Sequence, residues 1–107
     1  MMVLINDKKK ELDKVCITSK VEELYVFGSI LSDDFHAESD IDFVVTLHSE
    51  DPIEYAENYF QLKFELESMF NRKIDLLELK AIKNKTFENL INQQKVLVYA
   101  RRNQSVA

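Results

Sequence analysis

With one glycine, one proline, one cysteine and no tryptophan in 107 residues, the chain lacks most of what builds familiar ligand motifs. The single glycine, Gly28, excludes a P-loop and a dinucleotide fingerprint, which need several glycines at fixed spacing. The single cysteine, Cys16, excludes an internal disulfide and any cysteine-rich zinc site, and it suits a reducing compartment, so a cytoplasmic location is expected. No apolar run approaches ~20 residues and no charged-then-apolar leader opens the chain, so neither a membrane span nor a secretory signal is expected. Positive charge is also scarce: 14 Lys and Arg stand against 19 Asp and Glu, a net charge of −5. Such a surface repels phosphate backbones, and direct nucleic-acid binding is not expected.

What is present, 46% hydrophobic and 31% charged residues, is the make-up of a globular domain. At this length one core is all the chain can form, so residues 1–107 read as a single domain whose tail, Arg101 to Ala107, frays. A lid or acceptor-recognition domain would have to come from a partner or a second copy.

The spacing predicts a helix over about Asn6 to Ser19, capped by Asn6 or Asp7, with Leu12, Val15 and Cys16 on one side. The β-prone run Leu24 to Phe27 ends at Gly28-Ser29, and Ile30 to Ser39 reads as irregular. A second strand spans Ile41 to Leu47, and Pro52, suited to a first helical turn, opens a helix reaching Phe70. A third strand covers Lys73 to Leu79, and Asn84 opens a last helix with Phe87, Leu90, Ile91 and Gln94 on one face. Val96 to Tyr99 reads equally as an extension of that helix or as a short edge strand. The order predicts an α/β fold, a small mixed β-sheet packed with helices.

Three features of this layout point to one chemistry. Gly28-Ser29 closes the first strand, Ser39-Asp40-Ile41-Asp42 opens the second, and Asp75 sits within the third. Strand alternation puts Asp40 and Asp42 on one face while Ile41, Phe43 and Val45 take the other. Asp75, between Ile74 and Leu76, is disfavoured by β-propensity and, if buried, requires a partner. Taken singly, a D-x-D or a Gly-Ser is more often a turn. If the strands are neighbours, however, three carboxylates meet, and at 4 Å each pair repels by about 1 kcal/mol even in bulk water. A hard divalent cation relieves this, and Mg²⁺ binds a few carboxylates together with substrate phosphate oxygens. Gly28 lets backbone N–H groups approach an anion, and Ser29 adds a hydroxyl. Such a site suits a Mg–nucleoside triphosphate and attack at a phosphoryl centre.

Phe27-Gly28-Ser29, followed ten residues after Ser29 by Ser39-Asp40-Ile41-Asp42-Phe43-Val44-Val45, resembles the signature of minimal nucleotidyltransferases of the polymerase-β superfamily. Asp75 in Arg72-Lys73-Ile74-Asp75-Leu76-Leu77 matches the family's third carboxylate. The resemblance spans nearly the whole chain and implies the polymerase-β-like nucleotidyltransferase core. It implies that Asp40 and Asp42 bind two Mg²⁺ ions with the nucleotide, and that Asp75 holds the catalytic metal and helps deprotonate the acceptor. It also implies that Gly28 and Ser29, with Ser39 beside them, bind the triphosphate. Members of this MNT group often act as antitoxins paired with a HEPN ribonuclease, some by transferring AMP from ATP onto a tyrosine. Many relatives carry a small residue, an arginine and a glycine soon after Gly-Ser, where this chain has Leu31, Ser32 and Asp33. Lys73, with the strand parity of Asp75, either supplies the missing positive charge or is simply solvated. Two functions follow: an enzyme that adenylylates a HEPN-type toxin, or a non-catalytic antitoxin that blocks its partner by occlusion.

The helix from Pro52 carries two apolar bands: Tyr55, Tyr59, Leu62, Leu66, Met69 and Phe70, and, offset by roughly 100°, Ile53, Ala56, Phe60 and Phe64. Either one wide face is buried within the monomer, or the second band meets a partner, in a homodimer or a hetero-oligomer. His36 and His48 read as loop and strand-end residues, Cys16 as helix packing, and Lys8 to Lys10 as a solvated helix start.

Overall fold

The computed structural model describes residues 2–101. Its strands are β1 (Val21–Phe27), β2 (Ile41–Leu47), β3 (Ile74–Glu78) and β4 (Val96–Ala100). Its helices are α1 (Met2–Asp7), α2 (Lys9–Thr18), α3 (Pro52–Phe70) and α4 (Lys85–Gln94), with short 3-10 turns over Gly28–Leu31 and Leu79–Ala81. The sheet order is β3-β2-β1-β4. β1 runs antiparallel to β2 and β4, whereas β2 and β3 are parallel, which makes the sheet mixed as predicted.

The central strand β2 explains much of this arrangement. Ile41, Phe43 and Val45 are buried in a core with Leu62, Leu66 and Phe70 of α3 and Leu12 and Cys16 of α2. Val44, of the opposite parity, is fully buried too, so only the start of the strand turns polar side chains outward. The D-x-D lies at that start.

The N-terminal helix differs from expectation. It is two helices separated at Lys8, whose backbone (φ −108°, ψ 15°) leaves the helical region and whose side chain makes no cap hydrogen bond. Asn6 and Asp7 therefore lie within α1 and cap nothing, and Ile5 of α1 joins the core. β1 begins three residues earlier than the β-prone run, directly after Lys20 in a left-handed turn (φ 58°).

α3 opens at Pro52 and reaches Phe70 as expected, and the structure adds its two caps. Asp51 accepts the Ile53 N–H at 3.0 Å, Pro52 occupies the first turn, and Asn71 ends the helix in the left-handed region. The first apolar band faces the core, but Ile53, Phe60 and Phe64 remain 71%, 52% and 63% exposed, so the single wide buried face is excluded. α3 also braces the edge strand β3. The Tyr59 hydroxyl donates to Leu76 O at 2.6 Å, and the Ile74 N–H donates to Glu67 Oε2 at 3.4 Å.

Asn84 caps α4 by accepting the Phe87 N–H at 2.9 Å. Of the apolar face expected there, Ile91 is buried while Phe87 and Leu90 stay largely exposed. The ambiguous segment Val96–Ala100 is a strand, because β1 offers it a ladder that a continued helix could not use. The Arg101 N–H extends that ladder to Glu22 O at 2.7 Å, and the remainder of the tail expected to fray, 102–107, lies outside the described residues. Among the described residues no helix is long and apolar enough to cross a membrane.

Candidate active site

Parallel pairing of β2 with β3 sets Ile41 opposite Ile74, Asp42 opposite Asp75 and Phe43 opposite Leu76. Paired residues on neighbouring strands share a face, so Asp42 and Asp75 project from the same side of the sheet. β1 brings Phe27 opposite Asp42 from the other flank, which delivers Gly28 to the Asp42 carboxylate.

That position favours glycine. Gly28 has φ +76°, and a Cβ on it would overlap Oδ2 of Asp42 and stand 3.4 Å from the carboxyl carbon. The next residue stitches the turn to the D-x-D: the Ser29 hydroxyl donates to Asp40 O at 3.5 Å, and its backbone N–H is directed at Asp42. Burial pushes the Asp42 carboxyl above its ordinary value. The negative charges of Asp75 and Asp40 push the same way, and the Ser29 N–H opposes them.

Asp75 itself is exposed, while its neighbours Ile74 and Leu76 are buried. Burial therefore does not oblige it to find a partner; the strand register alone places it beside Asp42. Among the described residues, no three His, Cys, Asp or Glu side chains are already gathered to hold a metal ion. In donor chemistry the site suits Mg²⁺: hard carboxylate oxygens on one face, mutually repelling, beside a turn kept clear of any Cβ.

The connection entering β2 is held by a residue that sequence reasoning missed. Arg72 Nη1 donates to Ser39 O at 2.8 Å and His36 O at 3.1 Å, and its guanidinium lies 4.7 Å from the Phe35 ring centroid. Its acceptors are 33 and 36 residues away, so only its position before the third strand could have marked it. Ser39 Oγ accepts the His36 N–H at 3.0 Å, and the Ser39 N–H returns to His36 O at 3.0 Å, which puts Ser39 in the loop frame beside Asp40.

In the departure segment, Leu31, Ser32 and Asp33 are exposed, and Ser32 caps the turn by donating from Oγ to Ser29 O at 3.0 Å. Lys73 is exposed, with no ion pair among the described residues. An open cleft of about 790 Å³ lies at the other end of the sheet, lined by Lys9, Asp13, Lys20, His48, Tyr99 and Arg101 among others. It is remote from the carboxylates, and several of its cations are already paired: Lys9 with Asp13, Lys20 with Glu54 and His48, when protonated, with Glu22.

The family model for polymerase beta nucleotidyltransferases matches residues 10–104, spanning the Gly-Ser turn and all three aspartates. The chain belongs to this family. Solved structures agree on the nucleotidyltransferase fold. A candidate minimal nucleotidyltransferase superposes with a TM-score of 0.70 at 15% identity, over 85% of this chain and 89% of that one. A toxin–antitoxin crystallised with AMP-PNP gives a TM-score of 0.65 at 22% identity, over 92% of this chain and 76% of that one. A tri-AMPylated HEPN toxin from Shewanella oneidensis in complex with its MNT antitoxin gives 0.61 at 19% identity, over 91% and 73%. Among curated protein sequences none matches this nucleotidyltransferase.

Proposed function

We propose that residues 1–107 form a single, cytoplasmic, Mg²⁺-dependent nucleotidyltransferase domain that transfers AMP from ATP to a hydroxyl of a HEPN-type toxin, and so acts as its antitoxin. The observation that carries this reading is the register match of Asp42 with Asp75 beneath a turn whose positive φ and close approach favour glycine. The likeness to MNT–HEPN complexes, one with AMP-PNP and one with an AMPylated toxin, supports the choice of nucleotide and partner.

Asp40, Asp42 and Asp75 would hold the Mg²⁺ ions. When bound, these would offset charge on the phosphates and on the oxygens entering and leaving phosphorus. Gly28, Ser29 and Ser39 would receive the triphosphate through backbone N–H groups and hydroxyls. Asp75, the exposed member of the trio, would accept the proton of the acceptor hydroxyl. The acceptor oxygen bonds to the α-phosphorus, the bond from that phosphorus to the bridging oxygen breaks, and pyrophosphate leaves.

A non-catalytic antitoxin acting by occlusion is favoured by one feature: the place of a basic residue after Gly-Ser is taken by the turn-capping Ser32, followed by acidic Asp33. Incubation of the chain with labelled ATP, Mg²⁺ and its HEPN-type partner separates the two. Label on the partner, lost with Asp42→Asn, supports transfer; neutralisation that survives the substitution without any labelling supports occlusion.

A further inference from the structure

We infer that the outer face of α3 docks a lysine- or arginine-rimmed helix of the HEPN-type partner, and not a second copy of this chain. The inference rests on the partner reading above and adds the surface and the chemistry that recognise it.

Ile53, Phe60 and Phe64 are spaced by seven and four residues, which lines them up along one side of α3 over about 17 Å. All three are more than half exposed. Phe60 and Phe64 stack with ring centroids 6.3 Å apart, and Tyr59 braces Phe60 edge-on at 5.1 Å. An ordered aromatic pair in water is the kind of feature that dominates binding energy when covered. A straight apolar stripe on a helix is matched by the stripe of another helix.

Charge selects the occupant. On α3 the only cation is Lys63, against Glu54, Glu57, Glu65 and Glu67. Lys20 already pairs with Glu54 and Glu67 takes the Ile74 N–H, but Glu57 is exposed beside the stripe with no ion pair among the described residues. A second copy would set glutamate against glutamate on a chain of net charge −5. A helix flanked by Lys or Arg would complement the rim.

The placement has a corollary. α3 packs on the sheet face that buries Phe43, whereas Asp42 has the opposite strand parity. The docked helix and the acceptor hydroxyl therefore reach this domain from opposite sides, on different elements of the partner.

Sedimentation and titration of the purified chain with that partner test the inference, with melting curves to confirm that each variant is folded. Phe60→Glu and Phe64→Glu should each weaken binding by about tenfold or more. Glu57→Lys should weaken it as well, and added salt should weaken the wild-type complex. Folded Phe variants that bind normally overturn the inference, and so does a charge-reversed variant that binds as tightly as wild type. Self-association of the chain abolished by Phe64→Glu would give the face to a second copy. If the wild-type chain does not bind the partner at all, the partner reading falls first and the inference with it.

Discussion

Asp42 and Asp75 stand opposite each other on parallel neighbouring strands, the first partly buried against the Gly28 turn and the second open to solvent. Their charges work against each other, and Asp42 shows it in a carboxyl raised by burial and by the nearby anions. Removing either charge should therefore not harm the fold in metal-free buffer. Asp42→Asn and Asp75→Asn are expected to melt at or slightly above the wild-type temperature in EDTA. Mg²⁺ with a non-hydrolysable ATP analogue should raise the melting temperature of the wild type more than that of the variants. A drop in metal-free melting temperature on either substitution would make that aspartate a structural residue.

Gly28→Ala meets two penalties at once. Its φ of +76° costs an L-residue about 1–2 kcal/mol, and the added Cβ drives into Oδ2 of Asp42. Urea unfolding should show a loss of that size. Nucleotide affinity should fall further than stability does, because the displaced group is the Asp42 carboxylate; equal and small losses would indicate that the turn is mere scaffolding.

Arg72 ties the connection before Asp40 to the strand that carries Asp75. Arg72→Ala is expected to cost about 1–2 kcal/mol, since two carbonyls lose a charged donor. Amide exchange over residues 36–40 should speed up more than exchange within β1. Arg72→Lys should recover only part of the protection, lacking the planar fork and the stacking on Phe35.

The Cys16 thiol is buried in the core, and burial first, then the nearby Asp13 charge, push its pKa up to about 12. Its folded value lies above the unfolded one, so its contribution is intact below pH 9.0 and is lost as pH rises toward about 12. At pH 8 a thiol reagent should label the native protein only as fast as it opens, and promptly in denaturant. Fast labelling of folded protein would place the thiol at the surface.

Local signals were legible where neighbours in sequence decide the outcome. β2 and α3 have the bounds that alternation and Pro52 indicate, and Gly28 closes β1 at a close approach to Asp42. Features that depend on distant chain were not legible. Val96–Ala100 is a strand because β1 lies beside it, and Arg72 matters because His36 and Ser39 fold back onto it. The break at Lys8 has no capping residue to announce it. Asp75 came out beside Asp42 for a reason other than the burial first invoked: it is exposed, and register positions it.

Two side chains of α3 grip the backbone on either side of Asp75: Glu67 takes the N–H of Ile74, and Tyr59 holds the carbonyl of Leu76. An outermost strand would otherwise fray and carry its aspartate with it. One rigid rod thus anchors an acidic side chain through its inner surface while presenting Phe60 and Phe64 on its outer one. Whatever lands on those rings therefore meets the same helix that fixes both flanks of Asp75.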